Sequence, residues 1–311
     1  MTTIKETLLK GSPLRIPGTL VEFKTDDGLL LHGFLVGASQ AKTCIIYVHG
    51  MSGNFYRHQL PFVLSIAARK KGLGFFSMNT RGHDSAAPIY YAKNYTKRKR
   101  KNTKKKKKII GGTNFEKFED CVFDIRGAMG TLRKMGFRKF VLCGHSTGCQ
   151  KIAFYQYKTR DRSVAGIILL APADDYNAHR KNLGKKWKSV VNLCKALIKQ
   201  GKGNETRKEI PGGFSARRYA SIADLQRVES RIFNYDGRLR EFSKITVPVF
   251  AMFGSEEQYA DRPVKAYLSL LKEKTHSKRF DSAIVQKGNH SFVKRENEVA
   301  KLVTRWLQFV R

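Results

Sequence analysis

Short apolar segments alternate with longer segments of helical periodicity through most of this 311-residue sequence. The short segments are rich in β-branched and aromatic residues, which predicts β-strands at 43–50, 73–82, 139–146, 164–173, 247–254 and 280–289. The central four are almost entirely apolar, as is typical of strands that are covered on both faces. The alternation therefore predicts an α/β fold, in which a mostly parallel sheet carries helices on both faces.

The segments between these strands carry apolar residues at intervals of three and four. Residues 114–136 contain one such stripe, which predicts a helix, and residues 296–311 repeat the pattern. Near the start, residues 18–25 and 29–37 are expected to form an antiparallel hairpin at the edge of the sheet, turned at Asp26-Asp27-Gly28. With this hairpin the predicted sheet has about eight strands.

The alternation is interrupted once, between residues 176 and 244. This region contains no predicted core strand, but residues 185–200 form an amphipathic pattern typical of a helix. We therefore predict a single domain over 1–311, with 176–244 as a helical cap insertion above the sheet. A second insertion, the polybasic loop at 93–108, falls between a predicted strand and a predicted helix.

The charge of the chain is strongly positive, with a formal net charge of +35. Between Lys93 and Lys108, 11 of 16 residues are Lys or Arg and none is acidic. Such a surface favours anionic partners, and the binding weakens as the salt concentration rises. The charge supports a hypothesis of weak polyanion binding, to nucleic acid or an anionic membrane, although the sequence has no motif of a known nucleic-acid-binding fold.

Several features bear on the location of the protein and on its cofactors. The five cysteines form no CxxC pair and no Cys/His metal spacing, which suits a reducing compartment. The first residues lack the apolar region of a signal peptide, and no run is long and apolar enough for a membrane span. We expect a cytoplasmic protein without metal or organic cofactor. A nuclear location is the alternative in a eukaryote, because the lysine run resembles a nuclear-localisation sequence.

A G-x-S-x-G motif, Gly144-His145-Ser146-Thr147-Gly148, stands between a predicted strand and a predicted helix. A serine on a sharp strand-to-helix turn projects its hydroxyl from the sheet, and the flanking glycines allow the backbone to pass closely. The amides at the start of the helix face any developing oxyanion. In this context the motif predicts that Ser146 is a nucleophile.

A nucleophilic serine needs a base, and the base needs an acid that orients it. His290 follows the last predicted strand, at the edge of the sheet where Ser146 is expected, whereas His276 precedes that strand. We therefore predict His290 as the base. Glu257 is the best-placed acid after the strand at 247–254, and the alternatives are Glu256, Asp261, Asp174 and Asp175.

Two backbone N–H groups are needed to stabilise an oxyanion. We predict that they belong to Thr147, which follows the nucleophile, and to Met51, in the loop after the strand at 43–50. Arg81 and Asp84, in the segment "NTRGHD", are expected to brace this edge of the sheet structurally and are not counted as catalytic.

Taken together, the motifs resemble the α/β-hydrolase fold. The segments that carry the resemblance are "YVHGMSGNFY", "NTRGHD", "GHSTGC", "ILLAPADD", "FGSEEQYAD" and "GNHSF". They are similar to a branch of serine hydrolases related to fungal siderophore-ester hydrolases, over about residues 20–311. The resemblance implies a Ser–acid–His triad with Ser146 and His290 in the matching positions. That branch usually has Asp where this chain has Glu257.

Two classes of function follow from these observations. The first is a serine hydrolase that cleaves a small carboxylic ester through an acyl-enzyme, without a cofactor; the basic surface favours an anionic ester. Thioesterase, amidase or acyltransferase chemistry on the same triad is an alternative. The second class is a non-catalytic binder of polyanions, and it rests on the charge of the chain and on the run Lys97–Lys108.

Overall fold

The computed structural model of the protein describes residues 16–37, 40–93 and 108–310. The predicted polybasic loop at 93–108 lies outside the described residues, apart from Lys93 and Lys108. The hypotheses that rest on that loop therefore stay predictions.

The main sheet has eight strands in the order β1-β2-β4-β3-β7-β8-β9-β10. The strands of the protein are β1 (Thr19–Lys24), β2 (Leu30–Val36), β3 (Thr43–Val48), β4 (Gly74–Met78), β5 (Ala87–Tyr90), β6 (Lys108–Gly111), β7 (Lys139–His145), β8 (Val164–Leu170), β9 (Val249–Glu256) and β10 (Phe280–Asn289). In the main sheet β2 is antiparallel to β1 and to β4, and the other neighbouring strands are parallel. The predicted α/β class and the predicted N-terminal hairpin are both confirmed.

Helices cover the sheet on both faces. They are α1 (Gln59–Lys70), α2 (Cys121–Lys134), α3 (Thr147–Thr159), α4 (Asp175–Leu183), α5 (Trp187–Lys199), α6 (Ala216–Ala223), α7 (Val228–Ile232), α8 (Arg240–Ser243), α9 (Val264–Lys274) and α10 (Glu296–Trp306). The chain crosses the sheet in one direction through α1, from β3 to β4, and in the opposite direction through α2, from β4 to β7. Because such crossovers are right-handed, α1 and α2 lie on opposite faces. None of the helices in the described ranges is long and apolar enough to cross a membrane.

The burial of the strands explains their composition. Nearly every residue of β3, β4, β7 and β8 is buried, so these central strands lack polar alternation. β1 lies at the edge of the sheet and alternates between exposed and buried residues. The apolar runs in the sequence therefore mark the centre of the sheet, where the catalytic motif is expected.

One predicted helix is shorter than its pattern suggested. α2 begins at Cys121, after a 3-10 turn at Phe118–Asp120, and not at residue 114. Phe115 lies in a turn before the helix. The next residue, Glu116, is buried in an ion pair with Lys151, with 2.8 Å between Oε2 and Nζ. Apolar periodicity cannot reveal such a charge contact, so the predicted start of this helix was wrong.

A small second sheet was missed by the sequence analysis. β5 and β6 form an antiparallel pair in which Ala87 faces Gly111. β6 begins at Lys108, the last lysine of the basic run, and Pro88 interrupts the pattern of β5. Proline is tolerated in such edge strands, but neither segment carries the alternation that predicts a strand.

The segment at 176–244, which is described throughout, contains helices and short 3-10 turns and contributes no strand to the main sheet. Its helices bury an apolar cluster of their own, distinct from the core of the sheet. Cys194 is fully buried in this cluster, and the rings of Trp187 and Tyr219 pack with their centroids 6.3 Å apart. Met51, from the loop after β3, packs against the same cluster. The helical segment therefore touches the predicted oxyanion loop directly.

A substitution at a buried position of β8 tests the packing of the core. Replacing the fully buried Leu169 with Ala is expected to lower the free energy of unfolding by about 2–5 kcal/mol, because the deletion leaves a cavity in a packed core. Leu20→Ala on β1 is the matched control, since Leu20 is 62% exposed; its effect should stay within about 0.5 kcal/mol. Urea unfolding of both variants measures the difference. Equal losses for the two would contradict the described core.

Candidate active site

Ser146 stands on a sharp turn between β7 and α3. Its backbone has φ 52° and ψ −126°, in the left-handed half of the map that non-glycine residues rarely adopt. Two glycines permit this turn: a Cβ on Gly144 would lie 2.5 Å from the carbonyl carbon of Gly148, and a Cβ on Gly148 would lie 2.1 Å from the carbonyl oxygen of Val48. The spacing of the motif is thus a steric requirement of the turn.

His290 and Glu257 are hydrogen-bonded to each other. His290 follows β10 and Glu257 follows β9, so both residues leave the carboxyl ends of neighbouring parallel strands. The Nδ1 of His290 lies 2.8 Å from Oε1 and 2.9 Å from Oε2 of Glu257. The carboxylate only accepts, so Nδ1 carries the proton and donates it, which leaves Nε2 unprotonated in the neutral ring. The side chain of Glu257 is only 3% exposed.

Further contacts hold His290 in place. Its backbone N–H donates to Oε1 of Gln258 at 2.8 Å, and its carbonyl accepts from Nε2 of His145 at 2.8 Å. The ring of Tyr259 packs edge-on, 4.7 Å away between centroids. Burial lowers the pKa of His145 to about 3, and the nearby His290 lowers it further, so His145 is a neutral donor near neutral pH. Both histidine rings are therefore fixed in orientation and tautomer.

The alternative acids are engaged elsewhere. Asp174 caps α4 through Asn177 and accepts from the N–H of Tyr235, while Asp261 bonds Arg262 and the hydroxyl of Tyr267. Glu256 is exposed at the end of β9. Within 16–37, 40–93 and 108–310, Glu257 is the one carboxylate hydrogen-bonded to His290. His276 precedes β10 and lies at its opposite end from His290.

A cavity of about 370 Å³ brings together Ser146, His290 and Met51. Gly50 lies close to Ser146, since a Cβ on this glycine would lie 2.9 Å from the Cβ of Ser146. Thr147 is the first residue of α3, so its N–H has no acceptor within the helix. Four of the residues singled out by the sequence therefore lie in or beside one cavity, together with Glu257 behind His290.

The cavity also has walls that the sequence analysis did not assign. They include His49, His58, His145, His179 and Tyr259. Burial lowers the pKa of His179 to about 4. Although several histidines meet here, the described part of the chain holds no group of three or more His, Cys, Asp or Glu arranged to bind a metal ion. No motif spacing links these histidines, because they come from separate strands, loops and helices.

Asp175 is the acidic residue on the wall of the cavity. Its Oδ2 accepts from Nε2 of Gln150 at 2.7 Å, so it is held by α3 and not by His290. Burial raises the pKa of its carboxyl to about 8, and Glu229 raises it further, although Arg218 opposes the shift. Asp175 was one of the alternatives for the triad acid. The structure places it on the wall of the cavity, away from His290.

Arg81 and Asp84 have structural partners, as expected. Arg81 is buried and forms ion pairs with Asp27, Asp120 and Asp124. Asp84 accepts from Nδ2 of Asn54 at 2.8 Å. These contacts brace the loops beside β3 and β4, and neither residue lines the cavity.

Comparison with solved structures identifies the fold as that of the α/β hydrolases. Similar structures include Est1E from Butyrivibrio proteoclasticus with bound ferulic acid, at 14% identity and a TM-score of 0.61, which covers 93% of this chain and 99% of its own. The α/β hydrolase GrgF from Penicillium sp. sh18 is similar at 16% identity and a TM-score of 0.63, over 95% and 98%. Carboxylesterase CesB from Bacillus subtilis is similar at 15% identity and a TM-score of 0.54, over 95% and 92%.

The family of the chain follows from its sequence. Residues 113–311, more than half of the chain, match the family model described as "Protein of unknown function (DUF1749)", and the chain belongs to this family. No curated protein matches the sequence significantly. The matched range includes Ser146, Glu257 and His290, whereas Met51 precedes it.

The raised pKa of Asp175 predicts a specific pH dependence of the stability of the protein. Between the unfolded value of 3.8 and the folded value of about 8, the folded state holds a proton that the unfolded state has lost, so stability falls as the pH rises. Asp175→Asn removes this loss. Its melting temperature relative to wild type should therefore rise from pH 4 to pH 8 and level off above, as measured by calorimetry.

Asp261→Asn is the matched control for Asp175. The hydrogen bond from Arg262 lowers the pKa of Asp261, so the stability that this carboxylate contributes is present throughout that pH window and is lost only in acid. The control should show a difference from wild type that does not vary between pH 5 and pH 9. An equally flat difference for Asp175→Asn would contradict the assigned shift.

Proposed function

We propose that the protein is a serine hydrolase that cleaves a small carboxylic ester with Ser146, His290 and Glu257. The observation that carries the proposal is the bidentate contact of Glu257 with Nδ1 of His290, in a histidine that shares a cavity with a serine on a strained strand-to-helix turn. This combination supplies the groups from which an activated nucleophile is built: a serine that lines the cavity, a base, and an acid that orients the base.

The proposed reaction begins with attack of the Ser146 hydroxyl on the ester carbonyl. Nε2 of His290 takes the serine proton, and Glu257 stabilises the imidazolium through Nδ1. The N–H groups of Met51 and Thr147 bind the oxyanion of the tetrahedral intermediate. His290 then returns the proton to the leaving alcohol. Water, activated by the same histidine, hydrolyses the acyl-enzyme and regenerates Ser146.

The identity of the acid departs from the Asp that the resemblance implies. Glu257 has one methylene more than Asp, yet both of its oxygens lie within 2.9 Å of Nδ1. Its carboxylate is nearly buried, where it interacts with an imidazolium more strongly than in water. This geometry supports Glu as the acid of the proposed triad.

We further propose that residues 1–311 form a single domain with a helical cap at 176–244. Ala178 and His179, both on α4, line the cavity and would contact the substrate. Similar structures support an ester substrate: one is Est1E with ferulic acid bound, and another is a carboxylesterase. A cytoplasmic location and recruitment of anionic substrates by the lysine-rich run remain part of the same proposal.

The nucleophile is tested with Ser146→Ala. The change should abolish fluorophosphonate labelling and reduce the turnover of p-nitrophenyl acetate to the uncatalysed level, because the oxygen that attacks is missing. Ser291→Ala, at another serine on the wall of the cavity, is the matched control and should still be labelled. Labelling that survives in Ser146→Ala, or is lost only in Ser291→Ala, would show that the nucleophile is misassigned.

The acid is tested with Glu257→Gln. The amide removes the charge that stabilises the imidazolium and favours the wrong tautomer, so kcat should fall by about 10³- to 10⁴-fold. Glu257→Asp keeps the charge but withdraws it by one methylene, and should cost about 10- to 100-fold. Glu256→Gln, at the exposed neighbour, should leave kcat within about twofold of wild type. A small effect of Glu257→Gln would indicate that another carboxylate orients His290.

A further inference from the structure

Lys151 is a buried cation that the proposed mechanism does not use. It lies on α3, five residues after Ser146, and only 1% of its side chain is exposed. Its ammonium contacts Oε2 of Glu116 at 2.8 Å and the hydroxyl of Thr80 at 3.1 Å. A buried charge is costly and is retained only with specific partners, so its contacts show what it orients.

The contact of Lys151 with Thr80 leads to the loop that carries Met51. The Thr80 oxygen accepts from Lys151 and, at 3.3 Å, from the N–H of Gly82. Its own proton is therefore free to donate to Nε2 of His49, 3.2 Å away, to which the Thr80 N–H also donates at 3.1 Å. Nε2 accepts both bonds, so the ring proton of His49 is on Nδ1.

Nδ1 of His49 donates this proton to the carbonyl oxygen of Gly50, at 2.8 Å. Burial lowers the pKa of His49 to about 3, and the charge of Lys151 lowers it further, so the ring stays neutral. A continuous series of donors therefore runs from Lys151 through Thr80 and His49 to Gly50. We refer to these four residues as the Lys151 relay.

The last member of the Lys151 relay controls a catalytic group through peptide geometry. The Gly50 oxygen and the Met51 N–H belong to one planar trans peptide, in which they point in opposite directions. The oxygen is held by His49 and by the N–H of Gly53, 3.0 Å away. The Met51 N–H is thereby directed away from His49 and has no protein acceptor within the described ranges. Gly50 lies against Ser146, so this peptide borders the nucleophile.

The other side of Lys151 connects to the helical segment at 176–244. Glu116 lies 3.4 Å from the guanidinium of Arg218, which in turn pairs with Glu229. Burial favours the neutral form of Glu116, but the charges of Lys151 and Arg218 outweigh it and hold the pKa of this carboxyl below its usual value. Two buried cations thus face two buried carboxylates, which fixes Lys151 in one position.

From these contacts we propose that Lys151 is a positioning residue that orients the Met51 N–H for oxyanion binding, through Thr80 and His49. The inference rests on the proposed function and deepens it. The second proposed oxyanion donor, Thr147, is on the same helix as Lys151. The relay therefore positions the Met51 N–H relative to α3, the helix that also carries the Thr147 N–H. An oxyanion forms in the transition state and not in the bound ester, so loss of the relay lowers kcat and leaves KM nearly unchanged.

The test uses two conservative changes that break the relay at different points. Thr80→Val removes the bridging hydroxyl and leaves every charge in place. Lys151→Met combined with Glu116→Gln removes the cation together with its anion, which avoids an unpaired buried charge. Both should lower kcat for p-nitrophenyl acetate about 10- to 100-fold, with KM within about threefold. The affinity for a trifluoromethyl ketone, which forms an oxyanion with Ser146, should fall by the same factor as kcat.

Ser221→Ala is the matched control. Ser221 donates to Glu229 at 2.6 Å, so the change removes a buried hydroxyl from the same charge network without touching the relay. Its kcat should stay within about twofold of wild type, even where its melting temperature falls as much as that of Thr80→Val. Equal losses of kcat in Ser221→Ala and Thr80→Val, or ketone affinity unchanged in Thr80→Val, would overturn the positioning role.

A measurement independent of turnover separates this inference from the proposed function. Ring ¹⁵N NMR of histidine-labelled protein, with His49→Gln for assignment, should show a neutral His49 protonated at Nδ1 from pH 6 to pH 9. A ring protonated at Nε2 would overturn the relay whatever the enzyme activity. Absence of Ser146-dependent labelling in the wild type would instead refute the proposed hydrolase function. The NMR result would still decide whether His49 has the tautomer that the relay requires.

Discussion

The contact of Gly148 with the carbonyl oxygen of Val48 sets the position of α3 against the sheet. A single methyl group on Gly148 would lie 2.1 Å from that oxygen, so the helix can approach β3 only where a side chain is absent. This approach forces the left-handed turn at Ser146. It also sets where α3 presents Thr147 and Lys151. The proposed nucleophile, one proposed oxyanion donor and the start of the proposed relay to the other donor thus depend on one close backbone contact.

The cavity differs in charge from the chain as a whole. The chain carries a formal net charge of +35, yet the histidines on the cavity wall, His49, His145 and His179, have pKa values lowered by burial to between about 3 and about 4. Burial also keeps Asp175 largely protonated near neutral pH. The cavity therefore offers neutral hydrogen-bonding groups beneath a cationic surface.

Local sequence patterns were informative where one physical requirement dominates. The apolar runs at β4, β7, β8 and β9 predicted strands covered on both faces, because such strands admit few polar residues. The glycine spacing around Ser146 predicted a sharp turn for the steric reason given by Gly144 and Gly148. The patterns failed where long-range charge contacts decide the structure. α2 begins at Cys121 and not at residue 114, since the preceding chain places Glu116 in a buried ion pair.

The sequence by itself determined the order of the strands of the main sheet along the chain, the place of the G-x-S-x-G turn, and a short set of residues from which a base and an acid could be chosen. Only the tertiary structure shows which of Glu257, Glu256, Asp261, Asp174 and Asp175 contacts His290, because that contact depends on which loop returns to His290 across the sheet edge. The relay through Lys151, Thr80 and His49 was equally invisible in the sequence. Its members are up to 102 positions apart in the chain and meet only when two strand ends and one helix converge.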